Sequence, residues 1–297
     1  MKVLISGSSG FVGTALVARL RDIGHTVVRL VRTRSSKDKD SVFWDPDAGV
    51  IDSSSLIGIE AVIHLAGENV SAHRWSAAQR KKILESRTRG TELIGRTISA
   101  LQPQPKVLLS ASAIGYYGNH GSDEMTEQHP AGRGFLADVC VEWERTAKES
   151  VADSIRLVFL RIGVVLGKDG GALGKMLLPF RLGIGGPIGD GKNFLSWIAL
   201  PDLVEAIIFC LDHDQMSGPV NLCAPKAVTS RDFAKALGRA LHRPAVLPVP
   251  ELMLKLVFGE MAEQTILSSM RVVPARLLDA GFAFKYVDVE TALKAVI

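Results

Sequence analysis

Cysteine and tyrosine are scarce in this chain, with three of each in 297 residues. Cys140, Cys210 and Cys223 are far apart and odd in number, each in apolar or small-residue surroundings. That excludes a disulfide framework and reads as buried thiols of a reducing compartment. The seven histidines contain no H-x-H or H-x-x-x-H pair, so no metal site is expected. No G-x-S-x-G elbow supports a serine hydrolase. Basic residues form no tract longer than Arg80-Lys81-Lys82 and the formal charge is only +4, so a nucleic-acid partner is not expected. Long apolar runs are missing as well: each is broken by charge or glycine before it could span a bilayer. No secretory segment precedes the first apolar strand. The expectation is a cytoplasmic protein with no membrane partner; an organellar protein shorn of its transit segment fits the same sequence.

What the chain has is glycine, and first of all in one place. Met1 to Ser6, MKVLIS, is an apolar strand that runs into Gly7-Ser8-Ser9-Gly10-Phe11-Val12-Gly13 and then the helical TALVARLRDIG. Gly7 suits the tight exit from the strand, and Gly10 the close approach of a diphosphate. Gly13 suits packing of helix on strand, and the helix N-terminus receives the anion. The second strand, from Thr26 to Val31, ends in Arg32-Thr33-Arg34 with no acidic residue. An acidic residue there would bind the 2′-hydroxyl of NAD, whereas arginine accommodates a 2′-phosphate, so NADP(H) is favoured over NAD.

Strands then alternate with helices. Val42 to Trp44, Ala61 to Leu65, Lys106 to Ser110 and Ile155 to Ile162 read as strands, with helices from Ser76 and over Arg133 to Ser150. The non-alternating apolar character of AVIHL suits a parallel sheet covered on both faces. The fold class is therefore α/β, a doubly wound parallel sheet with a smaller, mostly helical C-terminal substrate domain. Residues 1–165 are expected to form the dinucleotide-binding domain, completed by 194–222 through a strand from Phe194 to Ile198 and a helix from Pro201. Residues 166–193 and 223–297 would form the substrate side. Glycines crowd 167–191, which fits either loops closing over a ligand or an irregular domain connection.

With the glycine turn, His64-Leu65-Ala66-Gly67-Glu68-Asn69 and the strand Val107 to Ser112, the chain resembles the extended short-chain dehydrogenase/reductase superfamily. Trp75, Glu85-Ser86-Arg87, GYYG at 115–118, LLPFRLGIGGPIGDG at 177–191 and Val273-Pro274-Ala275-Arg276 narrow the resemblance to its atypical NAD(P)-dependent epimerase branch. The motifs span essentially the whole chain. The resemblance implies that Leu65, Ala66 and Gly67 lie beside the nicotinamide ribose, with Ser110 and Ser112 at the next strand end. It also brings Ser9, Phe11, Val12, Lys82 and Arg87 near the cofactor, and lets Ser112 polarise the reacting oxygen. Relatives pair a tyrosine and a lysine, spaced Y-x-x-x-K, so that the lysine's charge lowers the phenol's pKa. Here no Y-x-x-x-K occurs, and with Glu142 as the landmark Gly134 and Asp138 fill those slots.

Other residues would then carry the proton. Tyr116 and Tyr117 directly follow the Ser112 strand, and either needs a cationic neighbour, with Arg87 and Lys82 as candidates. They also read, and more readily, as loop aromatics that pack on the cofactor or second domain. Glu68 can orient a substrate hydroxyl or act as a base, or simply form a salt bridge. Arg87 can pair with phosphate or with Glu68. Arg181, beside the apolar MLLPF, suits an anionic substrate or caps its short helix. His64 reads as a hydrogen-bonded core histidine, and Asp202 as a carboxylate held on a helix N-terminus. The implied function is an NADP-dependent oxidoreductase or epimerase, monomeric or homodimeric, acting on a small polar hydroxyl or carbonyl substrate. A catalytically weak or inactive NADP(H)-binding regulator or scaffold is the alternative that the missing pair suggests.

Overall fold

The computed structural model describes residues 1–33 and 40–297; Arg34 lies outside them. In chain order the first half contains β1 (Lys2–Ser6), α1 (Phe11–Asp22), β2 (Thr26–Val31), β3 (Ser41–Asp45), β4 (Val50–Ile51) and β5 (Ala61–His64). Then come α2 (Ala77–Ser99), β6 (Val107–Ala113), β7 (Glu124–Met125), α3 (Phe135–Ser150), β8 (Arg156–Ile162) and β9 (Val164–Leu166). The second half contains α4 (Gly171–Arg181), β10 (Phe194–Leu195), β11 (Trp197–Ala199), α5 (Leu200–Asp212), β12 (Gly218–Leu222) and β13 (Val228–Thr229). Helices α6 (Ser230–Leu241), α7 (Glu251–Phe258) and α8 (Glu260–Gln264) follow, then β14 (Arg271–Val272), α9 (Ala275–Asp279) and α10 (Val289–Val296).

An eight-stranded sheet runs β12-β8-β6-β5-β1-β2-β3-β4, parallel throughout except for the antiparallel β3–β4 pair. The four residues of β5 and the last four of β1 are buried, as strands covered on both faces must be. One face packs Leu16, Leu20, Leu203 and Ile207 of α1 and α5 on Val3, Ile5 and Ile63. The other packs Ile94 and Ile98 of α2 on Leu4, Val62 and Leu108. Because β1 lies between β2 and β5, the direction of winding reverses there. The crevice beyond the carboxyl ends of β1 and β5 is the place where such sheets bind ligands.

A separate cluster of Leu173, Leu177, Phe180, Trp197, Phe233 and Leu293 binds α4, β11, α6 and α10 together. Residues 223–297 add no strand to the eight-stranded sheet. The strand expected over Phe194 to Ile198 is instead two short pieces, and neither joins that sheet: β10 pairs with β13 and β11 with β9. The chain leaves the sheet at Gly163, where a Cβ would stand 3.0 Å from the Ser196 carbonyl oxygen. β12 takes the sheet edge instead, in parallel register with β8. Helix α3 starts at Phe135 rather than Arg133, after Gly134 at φ 115.

The glycines after β9 serve packing. A Cβ on Gly167 or Gly170 would come within 2.7 Å of the Phe11 ring, and one on Gly186 within 2.0 Å of the Leu247 carbonyl oxygen. Gly167 and Gly170 thus lie against Phe11 at the start of α1, and α4 fills the middle of the segment. Asp202 does not cap its own helix: it accepts the backbone N–H groups of Lys285 (3.0 Å) and Tyr286 (2.8 Å), pinning the C-terminal tail to α5.

Candidate dinucleotide and proton-transfer site

Gly7 adopts φ +70, and a Cβ there would stand 2.8 Å from the Leu65 carbonyl carbon. A Cβ on Gly13 would lie 2.1 Å from the Gly7 oxygen. These two glycines let β1, the β5 end and α1 meet. Gly10 is different, since only the Gly7 oxygen, at 3.3 Å, would approach its Cβ. Gly10 N–H closes the turn on Gly7 O at 3.0 Å. The first turn of α1, with Phe11, Val12 and Gly13, has no side-chain cap and no acidic residue, so its positive end is uncompensated. Ser9 is exposed beside it, and Arg32 and Thr33 are exposed at the end of β2. Leu65 N–H and Ala66 N–H donate to Ser6 O and Ser6 Oγ, both at 3.3 Å, and hold the β5 exit against β1. An uncapped helix end over a glycine turn, with a cation at the next strand end, fits a phosphorylated dinucleotide.

The next shell comes from α2, capped by Ser76. Glu68 N–H donates to Ser86 Oγ (3.0 Å), and its carboxylate meets Lys82 Nζ at 3.3 Å and Gln79 Nε2 at 3.4 Å. Glu68 is thus paired with Lys82 rather than Arg87. The Arg87 guanidinium lies along Gly67, over the Trp143 ring at 5.0 Å, and donates Nη1–H to Ile83 O at 3.0 Å. Burial lowers its pKa, and no carboxylate forms an ion pair with it among the described residues. His64 is wholly buried between Ser6 Oγ (2.5 Å) and Thr91 Oγ1 (3.1 Å). Burial first, and then the charge of Arg87, hold it down at about 4. It is the hydrogen-bonded core histidine expected.

Ser112, buried at the end of β6, donates its hydroxyl to Glu144 Oε1 at 2.7 Å. Arg161 grips the same carboxylate as a fork, Nε to Oε1 at 2.9 Å and Nη2 to Oε2 at 2.8 Å. Its Nη1 donates to Tyr117 Oη at 2.9 Å, and Tyr117 donates to Asn221 Oδ1 at 2.7 Å. Burial works against the Arg161 charge, but Glu144 and Tyr117 more than offset it and raise its pKa. With its hydrogen engaged by Glu144, the Ser112 oxygen keeps lone pairs that can accept a further hydrogen bond. Ser110 Oγ, two residues earlier, is buried with no hydrogen-bond partner among the described residues.

The two tyrosines separate. Tyr117 is fully buried, and burial pushes its phenol up to about 12 despite Arg161 and Asn221. It works as a strut. Tyr116 is half-buried, with the Arg161 Cζ stacked 3.5 Å from its ring centroid. The cation at this pair is therefore Arg161, not Arg87 or Lys82. Arg181 sits exposed in the last turn of α4, where it complements the helix dipole, and no side-chain hydrogen bond or ion pair joins it to the strand ends among the described residues.

Glu142 pairs with Arg145 on the outer face, whereas Glu144 is the carboxylate that reaches the β6 end. Counted back from Glu144 by the same offsets, the residues are Leu136 and Cys140 instead of Gly134 and Asp138. Cys140 lies beside Ser112 and the Ala113 backbone, and burial drives its thiol up to about 11. Sequence reasoning missed Glu144, Arg161 and Asn221. One signal was available: an arginine inside the buried strand RLVFLRI cannot stand without a partner.

The model of the NAD dependent epimerase/dehydratase family matches residues 3–223, and that of a domain of unknown function (DUF1731) matches 249–296. Epimerase family protein Mb2239 of Mycobacterium bovis is 39% identical, across 98% of this chain and 96% of its own length. The Arabidopsis thaliana chloroplastic homolog of epimerase family protein SDR39U1 is 40% identical, across 100% of this chain and 86% of its own length. A crystal structure of human SDR39U1 with NADPH superposes with a TM-score of 0.92 at 34% identity, covering 100% of this chain and 99% of the human one.

Proposed function

The chain belongs to the NAD dependent epimerase/dehydratase family, and from that premise we propose that it is an NADP(H)-dependent oxidoreductase or epimerase acting on a small polar hydroxyl or carbonyl compound. The uncapped α1 end with Gly7, Gly10 and Gly13 would hold the diphosphate, and Arg32 and Thr33 the 2′-phosphate. A nicotinamide bound there supplies hydride exchange. The observation that carries the reading is the Ser112–Glu144 hydrogen bond of 2.7 Å, which gives a strand-end hydroxyl a proton acceptor of its own. In oxidation, a substrate hydroxyl would give its proton to Ser112, and Ser112 would give its own to Glu144. Tyr116, stacked on Arg161, would order the substrate oxygen from the other side. NADPH in the human relative's structure supports the 2′-phosphate assignment.

Titration calorimetry with NADPH and NADH tests the cofactor: NADPH should bind at least tenfold tighter, and Arg32→Glu should abolish that margin. Purified protein is then screened for NADPH oxidation against carbonyl metabolites. Ser112→Ala should lower turnover about 10²-fold or more, and Tyr116→Phe should reduce it further than Tyr117→Phe does. Turnover untouched by Ser112→Ala would refute the proton assignment. A second reading, a cofactor-binding regulator, draws on the lack of any Y-x-x-x-K pair in the sequence. Tight NADPH binding with no carbonyl reduced would favour it.

A further inference from the structure

Helix α4 is gripped on one face and reaches out from the other. Leu173, Leu177 and Phe180 are buried in the cluster with Trp197, Phe233 and Leu293, which fixes the helix to the C-terminal part of the chain. Lys175 stands two residues from both Leu173 and Leu177, about 200° round the helix, so it leaves from the opposite face. Its ammonium donates to Ser71 Oγ at 2.9 Å and to Ser71 O at 3.0 Å, across 104 residues of sequence. No other hydrogen bond or ion pair joins α4 to residues 68–76 among the described residues.

The segment that carries Lys175 is tied to the exits of two neighbouring strands. At its start, a Cβ on Gly167 or Gly170 would come within 2.7 Å of the Phe11 ring, and one on Gly171 within 3.3 Å. Phe11 is the first residue of α1, just past the glycine turn that leaves β1. Further on, Lys175 holds Ser71, in the loop that leaves β5 through Leu65, Ala66 and Gly67. β1 and β5 lie side by side in the sheet. A segment attached to both exits passes over the space between them, where the diphosphate and the nicotinamide ribose would lie.

The loop that Lys175 holds is itself firm. Asn69 Oδ1 accepts from Ser71 N–H at 2.9 Å and from Ser71 Oγ–H at 3.0 Å. Trp75 donates Nε1–H to Val70 O at 2.8 Å, and its ring meets Phe135 edge-on at 5.1 Å. Arg80, in the first turn of α2, pairs with Glu260 of α8. Ser71 is therefore a fixed post, and the exposed Lys175 side chain is the part that can move. An exposed side chain changes rotamer within nanoseconds, so this link opens and recloses without unfolding α4 or the loop.

We propose that residues 167–175 form a clasp over the dinucleotide crevice, with Lys175 as the latch that holds the nicotinamide half and slows its departure. The proposal rests on the dinucleotide reading above; Lys175 is a positioning residue in it and takes no part in proton transfer. Stopped-flow displacement of NADPH by excess NADP⁺, followed by NADPH fluorescence, reads the latch directly. Lys175→Met keeps the aliphatic stem and removes the donors, and it should speed NADPH dissociation about three- to tenfold, the worth of a hydrogen bond at a solvated site. Ser71→Ala should give a smaller acceleration, because the carbonyl remains, and adding it to Lys175→Met should change nothing further. Adenosine 2′,5′-bisphosphate lacks the nicotinamide half, and calorimetry should find its affinity the same in the native chain and in all three variants. Thermal unfolding checks that the variants stay folded. Normal NADPH binding with release at the native rate after Lys175→Met overturns the clasp and leaves the dinucleotide reading standing. An equal loss of adenosine 2′,5′-bisphosphate binding also overturns it, since Lys175 would then merely support the whole site. A native chain that binds no NADPH removes the dinucleotide reading, and the clasp with it.

Discussion

Replacing Arg161 with methionine should cost this protein about 3–5 kcal/mol of folding stability, the usual range for breaking a buried ion pair by removing one partner. The side chains of Arg161 and Glu144 are only 4% and 11% exposed, so water can do little to rescue the carboxylate left behind. Three hydrogen bonds disappear with the guanidinium, two to Glu144 and one to Tyr117. For a chain of this size about 2 °C of melting temperature corresponds to each kcal/mol, which gives a drop of about 6–10 °C. Changing Glu144 to leucine as well should return much of the loss, because no buried charge then lacks a partner. A double-mutant cycle in urea, read by circular dichroism, should give a coupling of about 2 kcal/mol or more. A loss below about 1 kcal/mol for Arg161→Met, or additive single changes, would refute the pairing as the clamp on the Ser112 strand end.

His64 makes stability depend on pH in the direction of a depressed base. Burial, and then Arg87, hold it at about 4 when folded, while the unfolded chain takes the proton near ~6.5. Stability should therefore be full above about pH 6.5 and fall towards pH 4, by about 3 kcal/mol in all. Urea midpoints at pH 7 and 5 should differ more for the native chain than for His64→Asn; equal differences would place the acid sensitivity elsewhere. Gly13→Ala puts a methyl 2.1 Å from the Gly7 oxygen and should forfeit both dinucleotide binding and about 1–3 kcal/mol. An alanine variant that binds NADPH with unchanged affinity in calorimetry would contradict the packing role given to that glycine.

The cofactor half of the candidate site was legible because its chemistry is local. Strand, glycine turn and helix are consecutive from Lys2 to Asp22, and the residue after each turn has a position that backbone geometry dictates. The β2 end could be read in the same way. The partners of Ser112 at the end of β6 were not legible, since Glu144, Arg161 and Asn221 come from α3, β8 and β12. They meet through sheet register, Ser112 opposite Arg161 and Asn221 opposite Arg161, which no short window of sequence displays. The glycines of 167–191 were visible but ambiguous, because the ring and carbonyl they make room for belong to Phe11 and Leu247, far away in the chain.

Helix α3 shows how a two-residue difference changes the chemistry assigned to a site. Glu142 and Glu144 flank Trp143 in sequence, and a motif offset cannot choose between them. In a helix two residues differ by about 200°, so one carboxylate must face away when the other faces the sheet. Trp143 is buried and donates to Thr91 at 2.9 Å, and Glu144 turns to the β6 end while Glu142 turns to Arg145. The residue that α3 places beside Ser112 is the buried Cys140, whose thiol burial keeps neutral. The slot beside Ser112 thus carries no negative charge that would oppose proton delivery to Glu144. A relay through Ser112 and Glu144 is compatible with that neutral wall, and it would not have been compatible with an aspartate there.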